Sequence, residues 1–349
     1  MSTYKSDDPI DFVVIWVDGN DQDWQKNKDN YLALEKGTVD GSSKRYRDFG
    51  LLKYLFRGFE EFAPWVNKVY LVTNGQIPSW VNLDAEKLVW IKHEDYIANE
   101  FLPVFSANPI ELPLHRIEGL SEKFVFFNDD FYLISPVDKT QFFSDNLPVL
   151  NPQASLTIPK CGYDQFSHLM LNNVMLINKN FNARKVISKN LLNWLSPFRV
   201  GLKSSLYNII PMTLGYFTGF SNPHMPSPFL KSVFKEVWSK EYATINQTMK
   251  HRFRSNDDVT QYLFYDWQLA TNRFVPAKRS RLGKYFEITN NPNNNDELFD
   301  SIKQQKYPVI CINDSVDEKK VSDEYISSVE ESLIRAFETI LPNKSSFEI

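Results

Sequence analysis

Residues 124–131, Phe-Val-Phe-Phe-Asn-Asp-Asp-Phe, constrain this chain more than any other stretch. Four apolar residues read as a buried strand and deliver two adjacent carboxylates, Asp129 and Asp130, to its C-terminal end. Open α/β sheets bind ligands at the carboxyl ends of their strands. Neighbouring acids there repel each other unless a cation neutralises them. Mg²⁺ is commonly held by one or two carboxylates together with substrate phosphate oxygens. A divalent metal holding a diphosphate is the economical reading of the pair. The alternative is a helix N-terminus, whose dipole favours acids.

The segments around this strand repeat its pattern. Ile10 to Val17 is an apolar run closed by Asp18-Gly19-Asn20-Asp21, a strand followed by a turn. Leu51, Leu52, Leu55, Phe56 and Phe59 are spaced for an amphipathic helix over 48–62, with Pro64 beyond its end. Further strands are expected at 68–73, stopped by Asn74-Gly75, at 88–91 and at 123–127. Strands alternating with helices predict an α/β fold with a mostly parallel sheet of the nucleotide-binding type. Residues 165–220 read as helical but interrupted, with Pro197 and Pro211 as breaks. Helices are expected at 229–249 and 256–271, the second capped by Ser255 or Asn256, and from Asp317 onward. Asn290 to Asn295 reads as a polar loop. The division drawn from this pattern is an α/β half (1–160), a basic helical insertion (161–222) and a C-terminal part completing the core (223–349).

Composition narrows the class. Hydrophobic residues at 42% suffice for a core, and a net charge of −4 implies no general affinity for nucleic acid. Two cysteines, Cys161 and Cys311, exclude a disulfide framework and a cysteine zinc cage, and both are expected to be buried thiols. The N-terminus has no signal-peptide pattern, and no apolar run reaches the roughly 18 residues of a transmembrane helix. A soluble, cytoplasmic chain is expected. Its charge is uneven: between Asp164 and Glu236 there is no acid, while eight lysines and arginines interleave with Leu191, Leu192, Trp194, Phe198, Ile209, Ile210 and Phe217. This stretch is either a solvated insertion or a surface for an anionic membrane face.

No glycine-rich dinucleotide or P-loop motif and no nucleophile elbow is present, so bound phosphates would be held by side chains and a metal. Trp16, Asp18 and Gly19 end the first strand, where an indole could stack on a base, unless they form only core and a tight turn. Arg45, near the start of the first long helix, and Arg57, further along it, are placed badly or neutrally for the dipole and suit phosphate oxygens, a surface ion pair being the other reading. Glu111, His115 and Arg116 could converge on the acid pair. His224 stands between prolines in Asn-Pro-His-Met-Pro, and Arg254 precedes a helix. A histidine, an arginine and a metal-binding acid pair supply a proton acceptor, a charge clamp and a Lewis acid for phosphoryl transfer.

In this order the pieces resemble the Stealth proteins, sugar-1-phosphate transferases of microbial surface polysaccharides that include the animal N-acetylglucosamine-1-phosphotransferase. The resemblance rests on four blocks. The first is Ile10-Asp-Phe-Val-Val-Ile-Trp-Val-Asp-Gly19. The second runs from Arg45-Tyr-Arg-Asp48 through Val72-Thr-Asn-Gly75 and His115-Arg-Ile-Glu-Gly-Leu120 to Phe127-Asn-Asp-Asp130. The third is Pro223-His-Met-Pro226 with Arg254 and Asp258, and the fourth Cys311-Ile-Asn-Asp314 with the last helix. Two departures bear on sugar specificity. Glu111-Leu-Pro-Leu-His115-Arg116 lacks the family's first histidine, and Phe49, Leu51 and Lys53 replace the usual Asn, Glu and Arg.

The resemblance implies a Rossmann-like nucleotide-sugar-binding core and transfer of a hexose 1-phosphate from a UDP-sugar (a UDP-hexose or UDP-N-acetylhexosamine) to a glycan hydroxyl, with UMP released. Glycan acceptors in such systems are often lipid-linked, which would bring the enzyme to the inner face of the membrane. By the same resemblance Asp129 and Asp130 would hold Mg²⁺ or Mn²⁺, and Glu111 would position substrate or metal-bound water. His224 would take the acceptor proton or contact the phosphate, Arg254 would offset its charge, and Trp16, Asp18 and Arg45 would hold the donor. A glycosyltransferase releasing UDP, and an inactive carbohydrate- or nucleotide-binding module, are the other readings.

Overall fold

The computed structural model describes residues 8–35, 49–158, 165–317 and 320–349. Arg45 and Cys161 lie outside the described residues. In chain order the strands are β1 (Ile10–Ile15), β2 (Val69–Thr73), β3 (Leu88–Lys92), β4 (Lys123–Phe127), β5 (Phe131–Leu133), β6 (Phe143–Ser144), β7 (Leu147–Leu150), β8 (Ser227–Leu230), β9 (Val275–Pro276), β10 (Lys284–Ile288) and β11 (Val309–Asp314). The helices are α1 (Gln22–Leu32), α2 (Leu52–Phe62), α3 (Ala107–Glu111), α4 (Gln165–Asn180), α5 (Ala183–Lys189), α6 (Leu191–Leu195), α7 (Pro197–Val200), α8 (Leu202–Leu214), α9 (Lys231–Met249), α10 (Tyr262–Ala270), α11 (Pro292–Lys303) and α12 (Asp323–Ile340).

The central sheet has the order β3-β2-β1-β4-β8. Its first four strands are parallel, and β8 closes the β4 edge antiparallel. Strands covered on both faces should read as continuous apolar runs, and β2 and β4 are buried at every position. The α/β expectation with a mostly parallel sheet is met. The order 3-2-1-4 is that of a Rossmann-type sheet, whose strand order reverses between β1 and β4 and opens a crevice beyond their carboxyl ends.

A second sheet, β10-β11-β5, was not foreseen. β5 starts at Phe131, directly after the acid pair, and the Ile312 amide donates to the Asp130 carbonyl at 2.9 Å. Asp129 and Asp130 therefore sit in a turn between two sheets and not at a helix N-terminus. Helix α2 packs close to this junction. A Cβ on Gly58 would meet the Leu133 carbonyl oxygen at 2.8 Å, so the approach of helix to β5 needs a glycine there. Beneath α2, Phe12, Phe59, Phe127 and Phe142 form an edge-to-face and tilted aromatic cluster, with Phe12–Phe59 centroids 4.9 Å apart.

Three elements depart from expectation. The helix foreseen from 256 begins at Tyr262, because Asp258 turns inward and accepts from the Ser255 amide and Asn108, holding 255–260 as a loop. Residues 227–230 are strand and not the start of α9, since they complete the β4 edge. The expected polar loop at Asn290 to Asn295 is largely the first turn of α11, with Pro292 at its first position, where proline needs no amide partner.

The stretch read as a basic insertion consists of α4–α8. Helix α4 is tied into the core: Asn173 Nδ2 donates to Thr260 Oγ1, and Asn172 Nδ2 to the Asp258 carbonyl. Trp194 and Phe217, expected on its apolar surface, are buried, with Trp194 Nε1 donating to Asn272. Helix α8 is inverted for a surface helix. Its inward side carries Ser204, Ser205 and Asn208, whose groups bond Gln153, the Gly201 carbonyl and the Pro152 and Trp194 carbonyls. Its exposed side carries Leu202, Leu206, Ile209, Ile210 and Leu214, continued by Phe198 of α7 at 90% exposure.

Candidate active site

All four parallel strands of the central sheet send their carboxyl ends to one cleft of about 450 Å³. Trp16 follows β1, Asn74 follows β2, His93 follows β3, and Asn128 and Asp129 follow β4. The loops after β1 and β2 are locked together by a reciprocal pair: the Asp18 amide donates to Gln76 Oε1, and Gln76 Nε2 to the Asp18 carbonyl. Asp21 caps α1 by accepting from the Trp24 amide at 2.7 Å, which sets the Trp24 ring beside Phe105 as an aromatic wall. The remaining lining comes from Glu111 on α3, Phe166 and Leu169 on α4, His224 and Arg254 on loops, Tyr262 at the head of α10 and Asn313 on β11.

The acid pair splits at the inter-sheet turn. Asp129 lines the cleft. Asp130 faces His224, whose Nε2 lies 3.1 Å from Oδ2, and accepts from the Cys311 thiol at 3.4 Å. A carboxylate only accepts, so the imidazole proton sits on Nε2 and the lone pair on Nδ1. Nδ1 is 3.4 Å from the Tyr262 hydroxyl, and the Phe131 ring meets the imidazole edge-on at 4.9 Å. Cys311 is buried, as expected of it; burial, with Asp130 adding to it, pushes its thiol far up and keeps it protonated.

Burial also pushes the Glu111 carboxyl up to about 7, against the opposing pull of Arg254, the Gln261 backbone amide and His224. A group titrating near neutrality inside a cleft suits proton handling. Arg254 is presented by a loop whose anchor is Asp258. That carboxylate accepts from His251 Nδ1 at 2.6 Å, from Asn108 and from the Ser255 amide.

Asp130 Oδ1 is buried and has no hydrogen-bond partner. That orphaned oxygen is a hard donor, and with the adjacent carboxylate of Asp129 it fits Mg²⁺ or Mn²⁺. The Asp130, His224 and Cys311 ligand atoms also cluster within 4.8 Å. A soft ion there would require the thiolate, which burial disfavours.

The structure brings Trp16, Glu111, Asp129, His224 and Arg254 to one cleft and sets Asp130 behind His224. Asp18 and Gly19 shape its rim: Asp18 Oδ1 accepts from the Asn20 amide and the Gly19 carbonyl from Gln25. Three expected substrate contacts lie elsewhere and are corrected. Arg57 is committed to Glu348, at 2.7 and 2.8 Å, and to the Leu341 carbonyl. His115 packs against Phe234 and Trp238, and the Arg116 guanidinium sits 4.2 Å over Trp238. Pro113 ends the helical path after α3 and turns both away under α9. Sequence reasoning missed Trp24, Phe105, Tyr262 and Asn313. Asn313 stood next to Cys311 in a recognised block, but only the second sheet brings it to the cleft.

A Rossmann-type sheet with an Asp–His pair, an arginine and a hard-cation donor set at its switch point describes an enzyme of phosphoryl transfer. Comparison with known proteins agrees. The model of Stealth protein CR2, conserved region 2, matches residues 45–149. The capsular polysaccharide phosphotransferase WcwK of Streptococcus pneumoniae is 41% identical over 348 residues, covering 97% of this chain and 99% of that protein. The receptor polysaccharide phosphotransferase WefC of Streptococcus gordonii is 41% identical over 97% of this chain and 99% of its own length. The exopolysaccharide phosphotransferase cps2G of Lactiplantibacillus plantarum is 36% identical over 97% of this chain and 96% of its own. The chain belongs to the Stealth family of polysaccharide phosphotransferases.

Proposed function

We propose that this enzyme transfers a hexose 1-phosphate from a UDP-sugar to a hydroxyl of a glycan acceptor, releasing UMP, in the assembly of a capsular or surface polysaccharide. The observation that carries the reading is the Asp130–His224 pair at 3.1 Å, at the edge of a cleft that also holds Asp129 and Arg254. The acceptor oxygen attacks the phosphorus bonded to the sugar, a new O–P bond forms, and the P–O bond to UMP breaks with its electron pair leaving on UMP. The acceptor proton passes to His224 Nδ1, while Asp130 holds Nε2–H and stabilises the imidazolium, as the acid of a triad does. Arg254 offsets charge on the transferring phosphoryl group. Asp129 and Asp130 would hold a Mg²⁺ or Mn²⁺ ion, which when bound supplies charge neutralisation of the diphosphate.

Trp16, Trp24 and Phe105 give the uracil and ribose an aromatic wall, with Asp18 and Gly19 at the donor end, and the resemblance gives Arg45 a part in holding the donor. Glu111 orients substrate from the cleft floor. Arg57, His115 and Arg116 have no part in this reading. Residues 1–160 and 223–349 supply most of the catalytic core, and the basic helical segment 161–222 adds Phe166 and Leu169 of α4 to the cleft wall.

The inverted helix α8 supports a lipid-linked acceptor met at the inner, cytoplasmic membrane face. Its exposed leucines and isoleucines, with Phe198, are bordered by exposed Arg199 and Lys203, the composition of an interfacial helix on anionic lipid. Among the described residues no helix is long and apolar enough to cross a membrane, so the contact is peripheral.

Incubation with a panel of UDP-sugars and a glycan acceptor tests the reading through the nucleotide product. UMP is expected. UDP released in step with glycan formation would replace phosphotransfer with glycosyl transfer.

A further inference from the structure

A second cleft, of about 570 Å³, adjoins the first at His224. The two clefts share Phe166, His224, Tyr262 and Asn313, which form a common wall. Their remaining linings differ in kind. The first contains Glu111, Asp129 and Arg254, whereas the second adds Asn222, Pro223, Met225, Leu282, Gly283 and Tyr285, none of them charged. A diphosphate would find no counter-charge there, and burying one without a partner is costly.

Tyr285, on β10, is 40% exposed, and its ring centre lies 6.2 Å from that of His224. Its hydroxyl is engaged with Glu287 at 3.0 Å, which leaves the ring face as the part available to a ligand. Asn222 Nδ2 donates to Asp266 Oδ1 at 2.9 Å. Its carbonyl oxygen is buried without a hydrogen-bond partner, so it is the acceptor that a ligand hydroxyl would satisfy. An aromatic face for C–H groups, a lone amide oxygen for a hydroxyl, and no charge together describe a site for an uncharged pyranose.

We propose that this second cleft is the acceptor subsite. It seats the neutral terminal hexose or N-acetylhexosamine of the glycan against Tyr285 and Asn222 and presents one hydroxyl to His224 across the shared wall. This rests on the phosphotransfer reading of the first cleft: His224 lines both clefts, so an acceptor hydroxyl at their junction meets the imidazole and the diphosphate together, and an in-line displacement needs it opposite the leaving UMP across the phosphorus.

Saturation-transfer NMR on the full chain tests it, with methyl glycosides of neutral hexoses and N-acetylhexosamines as probes. The wild type should bind a subset of them equally well with and without saturating UDP. Tyr285→Ala should weaken that binding roughly three- to tenfold, as loss of one aromatic contact does, and Tyr285→Phe should retain it. In turnover, Tyr285→Ala should raise the acceptor KM by a similar factor and leave the donor KM in place. Displacement of the glycosides by UDP, equal binding by Tyr285→Ala, or no binding by the wild type would each overturn the proposal. If glycoside binding follows Tyr285 while UDP-sugars yield no UMP, the donor chemistry fails and the subsite stands.

Discussion

At the scale of single residues the acid pair divides its work, and the two carboxylates are not equivalent. Asp130→Asn keeps the shape of the side chain but loses the charge facing His224 and the hard donor at Oδ1. Turnover should fall by at least roughly a hundredfold with the melting temperature nearly unchanged, and EDTA should abolish wild-type activity. Activity that survives both treatments would remove the metal and the Asp–His pair from the chemistry. His224→Ala and Arg254→Ala should each cut kcat by roughly 10²–10⁴-fold with a smaller change in donor KM, because in the proposed mechanism their contacts strengthen in the transition state. A rise confined to KM would assign them to ground-state binding.

Glu111 makes a separate claim about stability. Its carboxyl is held up at about 7 by burial, from an ordinary 4.5. Between those values the native protein keeps a proton that the unfolded chain releases, so stability falls as pH rises through this window and levels off above it. The loss should be on the order of 2–3 kcal/mol, and Glu111→Gln, which has nothing to ionise, should lack it. Urea titrations of both proteins at pH 5 and pH 8 would show this. Parallel pH dependence in the two would mean that Glu111 is not the group responsible.

At the scale of elements, the legible parts were those whose apolar pattern is dictated by burial against the core. β1, β2, β3, β4, α2 and α12 could be read because the sheet and its covering helices are apolar at the spacing that their geometry demands. Helix α10 was extended too far because Ser-Asn-Asp-Asp at 255–258 has cap chemistry, yet Asp258 spends its carboxylate on His251, Asn108 and the Ser255 amide. Helix α8 shows how a pattern can be real and its address wrong. The apolar residues of the basic segment divide: Trp194 and Phe217 go to the core while Phe198 and the leucines of α8 stay outside. Phe198→Ser with Leu202→Ser should therefore weaken pelleting with anionic vesicles several-fold, and wild-type binding should decline with salt. Unchanged pelleting in the double variant would make this face an ordinary surface.

At the scale of the whole molecule, the C-terminus is clamped to the catalytic half. Arg57 and Glu348 form a bidentate pair whose side chains are about one-tenth or less exposed, and Asn82 accepts the tail alongside, its amide donating to the Phe347 carbonyl. Glu348→Ala strands the guanidinium and should cost about 3 kcal/mol in urea denaturation, with donor KM unchanged. A raised donor KM at full stability would instead return Arg57 to the substrate site.

What the sequence determined by itself was the parallel sheet, the placing of Asp129 and Asp130 at a strand end, and the family with its chemistry, because these depend on runs of adjacent residues. Tertiary structure alone decided which side each carboxylate faces, since that follows from the pairing of β5 with β11, 176 residues apart at Leu133 and Val309 and set by nothing local to either. It also decided that Arg57, His115 and Arg116 turn away and that Asn313, Tyr262 and Tyr285 turn in. A side chain's nearest neighbours are fixed by how sheets and helices stack, and no local spacing encodes that.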